Sequence, residues 1–61
     1  MPIVQIEMLE GRTLEQKKLL VEKVTQAIVE SIGTAPENVS IIIRDMSKDN
    51  YARAGKLASE K

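Results

Sequence analysis

Pro2 is the one group in this sequence whose chemistry is unusual. Removal of Met1 would leave Pro2 with a free secondary amine that can accept a proton and pass it on. An ordinary α-amino group has a pKa of about 7.7–8.0, and a prolyl amine is more basic. Burial against Ile3, Leu9 and Tyr51, or a nearby arginine, would lower this pKa enough for a base at neutral pH. Otherwise Pro2 simply begins an edge strand, where a missing N–H is tolerated.

Arg12 is the second residue with a possible chemical role, because it stands in the loop after the first predicted strand. A guanidinium group holds a carboxylate through two parallel hydrogen bonds, so Arg12 could bind an acidic substrate. It could equally be a solvated charge just ahead of the predicted helix. The spacing alone leaves both interpretations open.

Other catalytic groups are scarce, since the sequence has no cysteine and no histidine. A Ser-His-Asp triad, a reactive thiolate and a histidine-based metal site are therefore excluded. The glycines are too widely spaced for a phosphate-binding loop. Acid pairs such as Glu7 and Glu10 are interpreted as surface charges. The amine of Pro2 remains the main candidate.

Hydrophobic periodicity predicts the elements that position these residues. Residues 2–9 alternate between apolar and polar side chains, which is typical of a strand. Thr13 and Gln16 have the spacing of a capping box, and the apolar positions behind them predict a helix over residues 14–32 that ends at Gly33. Residues 39–44 predict a second strand, parallel to the first. The tail from Asp45 predicts a short hairpin or an arm on a neighbouring chain.

The length of the chain predicts a single domain, residues 1–61, that is stable only in an oligomer. A chain of 61 residues buries too little surface to be robust alone, and without cysteine it has no disulfides. The run Ile41-Ile42-Ile43 is apolar on both faces of its strand, and one helix can cover only one face. The other face therefore requires a partner chain.

Composition argues against several classes of partner. Nine basic and nine acidic residues give a net charge of zero, and Tyr51 is the single aromatic residue. A nucleic-acid-binding protein normally has a basic patch and stacking rings. No apolar run approaches the ~18 residues of a membrane span, and the N-terminus does not resemble a signal peptide. We therefore expect a cytoplasmic protein without nucleic-acid or membrane partners.

The opening PIVQIEMLEGRTLEQK, residues 2–17, closely resembles that of the 4-oxalocrotonate tautomerase family. The likeness extends through the Ala35-Pro36 turn and the isoleucine-rich second strand to the tail. It implies an α/β fold with a β-α-β subunit and a homohexamer built as a trimer of dimers. It also implies cofactor-independent keto-enol tautomerisation of enols such as 2-hydroxymuconate, a step in the degradation of aromatic compounds.

The resemblance also assigns roles to residues. Pro2 matches the family's proline base. Arg12 matches the loop arginine, which binds a substrate carboxylate and favours the neutral amine. Tyr51 stands where the family often has phenylalanine as the aromatic wall of the site.

One position departs from the family pattern in a way that affects the substrate. The best-known members have a second arginine at the head of the second strand, contributed across the subunit interface, where this chain has Ser40. Arg44 lies four residues further, about 13 Å along an extended strand, so it is a weak substitute. The glycine-rich stretch after the aromatic wall is also altered, to Ala52, Arg53 and Ala54. We therefore expect weak activity on 2-hydroxymuconate, with less dependence on its second carboxylate.

Two alternatives to a tautomerase stay open at this point. A protonated Pro2 could act as an acid in a decarboxylation or a hydrolytic dehalogenation. A pKa of Pro2 near or below 7 suits a base, whereas one above about 9 suits an acid. The chain could instead be non-catalytic, as an oligomerisation or binding module or the inactive partner in a mixed hexamer.

Overall fold

The computed structural model describes residues 2–60, which form a β-α-β unit followed by a short hairpin. In chain order the elements are β1 (Ile3–Leu9), α1 (Leu14–Ile32), a 3-10 turn (Pro36–Asn38), β2 (Ser40–Met46), a second 3-10 turn (Lys48–Asn50), β3 (Ala52–Arg53) and β4 (Lys56–Leu57). The α/β fold and the C-terminal hairpin predicted from the sequence are confirmed. The prediction that Met1 is removed lies outside the described residues.

The helix α1 has the predicted limits, because both ends are fixed by local hydrogen bonds. The amide of Gln16 donates to Thr13 Oγ1 at 3.1 Å, and the amide of Thr13 donates to Gln16 Oε1 at 2.9 Å. This reciprocal pair satisfies amides that the first turn leaves free. At the other end Gly33 adopts a left-handed conformation with φ 72°, and its amide donates to the carbonyl of Val29. Glycine takes this conformation without steric cost.

The strands β1 and β2 pair in parallel, with Ile3 opposite Ser40 and Leu9 opposite Met46. The second strand is therefore displaced towards the C-terminus relative to the predicted residues 39–44. Its pairing with β1 continues to Met46, whose carbonyl accepts from the amide of Glu10 at 2.9 Å. Val39, the residue before β2, does not join the strand because its amide donates to the carbonyl of Pro36 in the 3-10 turn.

The two faces of the sheet differ in what covers them. On one face Met8 lines a groove with Leu20 of α1, and Asp45 forms an ion pair with Lys17 of α1. On the opposite face Ile3 and Ile42 are 63% and 40% exposed. The helix thus covers one face only, as the isoleucine run predicted.

A single copy of the chain does not form a closed core. None of the side chains in residues 2–60 is fully buried. The radius of gyration of the Cα atoms is 14.6 Å, whereas a compact domain of this length has one of about 10.5 Å. A chain this open leaves large apolar side chains exposed, among them Ile3, Leu14 and Ile32. No helix among residues 2–60 is long and apolar enough to cross a membrane.

The C-terminal hairpin is tight and is attached to the preceding turn. Ala54 and Gly55 connect its strands with φ angles of 53° and 80°, which are the signs required at the two central positions of a type I′ turn. The amide of Ala58 donates to the carbonyl of Tyr51 at 2.8 Å. The amide of Ser59 donates to the carbonyl of Lys48 at 3.2 Å. These bonds fix the orientation of the segment that contains Tyr51.

Candidate active site

Pro2 lies at the end of the sheet where both long strands begin. The amide of Ser40 donates to the carbonyl of Pro2 at 3.0 Å, and the next residue, Ile3, is directly opposite Ser40 in the parallel register. Pro2 is half-buried, whereas Ser40 is exposed. The backbone of the candidate base is therefore fixed, and the nearest polar side chain of the facing strand belongs to Ser40.

Arg12 and Tyr51 lie at the opposite end of the sheet. The strand β1 has seven residues, so its two ends are about 20 Å apart. Arg12 follows the end of β1, and Tyr51 follows the end of β2. One chain therefore separates Pro2 from Arg12, Tyr51 and Leu9, whereas Ile3 is adjacent to it. A pocket that contains all of them requires residues from more than one copy.

Tyr51 forms part of a groove of about 400 Å³ at this second end. The groove is lined by Glu7, Met8, Leu9, Met46, Tyr51 and Arg53. The ring of Tyr51 is 41% exposed. The groove combines thioether, aliphatic and aromatic surface with a cation. It can therefore accept the apolar part of a small molecule and one of its anionic groups.

Arg12 lies between two further grooves on the same end of the chain. One of them is shared with Gln16, Lys17 and Leu20 of α1. The other, of about 520 Å³, is shared with the loop residues Glu10 and Gly11 and with Lys48. Neither of the two ion pairs found among residues 2–60 involves Arg12. Its guanidinium is therefore available for a carboxylate.

Arg44, the weak substitute for the missing second arginine, has a partner within the chain. Its Nη1 donates to Glu7 Oε2 at 3.0 Å, and the two side chains are 50% and 54% exposed. They are opposite each other in the register of β1 and β2. The charge of Arg44 is thus partly balanced by Glu7 on the uncovered face of the sheet.

Arg53 is a further cation that the structure places in the groove of Tyr51. The sequence spacing of Arg53 and Tyr51 could have indicated this position. Tyr51 and Arg53 are two residues apart in an extended segment, and such residues point to the same side.

Comparisons with known proteins agree with this architecture. The family described as "Tautomerase enzyme" matches residues 2–61. A "Probable tautomerase" of Bacillus cereus is 54% identical over 61 residues, which are 100% of both chains. A "2-hydroxymuconate tautomerase" of Bacillus subtilis is 53% identical over 60 residues, covering 98% of this chain and 97% of the relative.

A solved structure gives the same result in three dimensions. The crystal structure of a homologue of 4-oxalocrotonate tautomerase has a TM-score of 0.94 and 52% sequence identity to this chain, with 98% of each chain covered. The matches in sequence and in structure thus extend over nearly the whole chain. The protein therefore belongs to the tautomerase family of enzymes.

Proposed function

We propose that this enzyme is a keto-enol tautomerase of 2-hydroxymuconate-like enols, with the amine of Pro2 as its general base. The observation that supports this most directly is the position of Pro2. Its carbonyl accepts a hydrogen bond from the amide of Ser40 at the end of the sheet where both long strands begin. The chain has no histidine or cysteine that could replace Pro2 as the base. The relative named 2-hydroxymuconate tautomerase gives independent support.

The proposed reaction needs only the transfer of one proton within the substrate. The neutral nitrogen of Pro2 accepts the proton of the enol hydroxyl as the carbonyl bond forms. The resulting prolinium then donates this proton to a carbon of the conjugated chain. Arg12 holds a carboxylate of the substrate and opposes the charge on the prolinium. Tyr51 provides the aromatic wall and limits the access of water.

The assay that tests this function uses two enols and mature protein without Met1. Conversion of 2-hydroxymuconate and phenylenolpyruvate to their keto forms is followed by absorbance. We expect turnover of at least one enol by the mature chain. Turnover of neither would favour the non-catalytic alternative.

The cytoplasmic location remains a prediction from the sequence.

We propose further that the active form is a homohexamer arranged as a trimer of dimers. The separation of Pro2 from Arg12 and Tyr51 supports this, because a second copy can bring its Arg12 end to the Pro2 end of the first. The exposed Ile3 and Ile42 on the uncovered face support it as well. Their burial in a subunit interface would contribute roughly 1.5–3 kcal/mol per side chain.

Sedimentation of the purified protein at micromolar concentration should therefore show a hexamer, or at least a dimer. Dilution should cause loss of helical circular dichroism together with dissociation, since a single copy lacks a core. A folded and stable monomer would contradict the proposed assembly.

Replacement of Ser40 by arginine should change the substrate preference. The new guanidinium would occupy the position from which the best-known family members contribute their second arginine across the subunit interface, and there it could polarise the substrate carbonyl and bind the adjacent carboxylate. Loss of a preorganised donor of this kind costs about 10²–10³ in rate, so its gain should recover part of that factor. We expect Ser40→Arg to increase kcat/KM for 2-hydroxymuconate more than for phenylenolpyruvate. Ser40→Gln, which adds length without charge, is the control. Equal changes for the two enols would contradict this role of position 40.

A further inference from the structure

Cationic residues are unevenly distributed along the molecule. Residues 2–11 and 24–43 contain no lysine or arginine, but they include Glu30 and Glu37. These segments contain the starts of both long strands and the end of α1. The Pro2 end of each chain is therefore neutral to acidic. A cation that binds a substrate carboxylate next to Pro2 would therefore come from another part of the chain or from a neighbouring copy.

Among residues 2–60, four cations lie in the segments that follow the two long strands outside α1. They are Arg12, Lys48, Arg53 and Lys56. Arg12 and Lys48 line one groove together, whereas Arg53 lines the groove of Tyr51. Among these four, Arg53 is thus the cation that shares a groove with Tyr51.

Within residues 2–60, the charge of Arg53 is not balanced by an acidic side chain of the Tyr51 groove. The acidic residue of this groove, Glu7, accepts a hydrogen bond from Arg44 at 3.0 Å. The ion pairs among residues 2–60 are that of Glu7 with Arg44 and that of Lys17 with Asp45, so neither involves Arg53.

The register of the hairpin brings a second cation to the same side. Arg53 is directly opposite Lys56 in the antiparallel pairing of β3 and β4. Side chains directly opposite each other share a face, with Cβ atoms about 4.5–5.5 Å apart, and like charges in such a pair are destabilising. A bound carboxylate would relieve this repulsion, because it interacts favourably with both cations.

We propose that Arg53, supported by Lys56, is a second carboxylate-binding group of the active site and selects enols that have two anionic groups. The proposal rests on the proposed tautomerase function. It assigns to the hairpin the cationic contact that Ser40 cannot make. A dicarboxylate can then contact Arg53 in the groove of Tyr51 and Arg12 in the groove that it shares with Lys48. The chain would thereby retain a preference for dicarboxylates that Ser40 alone does not predict.

The test compares Arg53→Gln with the unmodified enzyme on 2-hydroxymuconate, which has two carboxylates, and phenylenolpyruvate, which has one. We expect kcat/KM for the dicarboxylate to fall about 10–100-fold, the usual effect of losing a hydrogen bond to a charged group. The fall should lie mainly in KM, because the contact exists in the bound substrate as well as in the transition state. For the monocarboxylate the change should be less than about threefold.

Two further variants separate charge from geometry. Arg53→Lys keeps the charge but cannot form two parallel bonds, so its dicarboxylate kcat/KM should fall by a smaller factor of about 3–10. Lys18→Gln removes an exposed cation of α1 and should leave both enols unaffected. If Arg53→Gln does not assemble in sedimentation, the effect of Arg53→Lys decides the question.

The outcomes distinguish this proposal from the function on which it rests. An unmodified enzyme that converts neither enol contradicts the tautomerase function. If it converts both enols, an unchanged dicarboxylate kcat/KM in both Arg53 variants overturns the role of Arg53. Equal falls for the two enols overturn it as well, since they indicate a structural effect of the hairpin.

Discussion

Blocking the nitrogen of Pro2 should lower kcat/KM for enol turnover by about 10²–10⁴-fold, the usual contribution of a general base. Retained Met1 blocks it chemically, because the peptide bond turns the amine of Pro2 into an amide whose nitrogen cannot accept a proton at neutral pH. The effect should be larger than that of any substitution in the binding groups. Blocking the amine removes the group that transfers the proton, whereas the binding groups only hold the substrate.

Intact-mass measurement gives the fraction of chains that retain Met1, and the activity of a preparation should follow the fraction that lacks it. Pro2→Ala is the matched control, since alanine also permits removal of Met1 and leaves a primary amine. We expect its loss of activity to be smaller than that of the blocked chain. Sedimentation checks that both forms assemble alike. Full activity in a preparation that retains Met1 completely would exclude Pro2 as the base.

Replacement of Arg12 by alanine should lower the rate and also change its dependence on pH. For carboxylate substrates kcat/KM should fall about 10–100-fold, which corresponds to roughly 1.4–2.7 kcal/mol of transition-state stabilisation. The pH profile should move as well. A neighbouring cation disfavours the ammonium form of Pro2, so its removal raises the pKa of the amine. The acidic limb of kcat/KM should therefore shift to higher pH.

Arg12→Lys separates these two effects, because it keeps the positive charge and loses the planar fork. We expect a raised KM with little movement of the acidic limb. Lys18→Ala removes a cation from the exposed side of α1 and should change neither KM nor the acidic limb. An unchanged rate of Arg12→Ala on a dicarboxylate would remove Arg12 from the site.

The features that the sequence predicted correctly are those with local causes. The limits of α1 follow from the reciprocal bonds of Thr13 and Gln16 and from the left-handed Gly33, all within a few residues of each other. The two-sided apolar character of β2 follows from the consecutive isoleucines. Each of these depends on neighbours in sequence, so the order of residues was sufficient.

The features that only the tertiary structure decided depend on the register between distant segments. The pairing of β1 with β2 brings Ser40 to Pro2 and Arg44 to Glu7, and a shift of β2 by one residue would have moved Ser40 and Arg44 to the opposite face. The pairing of β3 with β4 likewise places Arg53 opposite Lys56.

Sequence alone could therefore identify Pro2, Arg12 and Tyr51 as candidates, but not the distance between them. Parallel strands begin at one end of a sheet and end at the other, so the amine and the cations are about 20 Å apart in one chain. Residue types and local spacing were thus determined by the sequence itself. The division of the candidate site between the two ends of the subunit was decided by the long-range pairing of its strands.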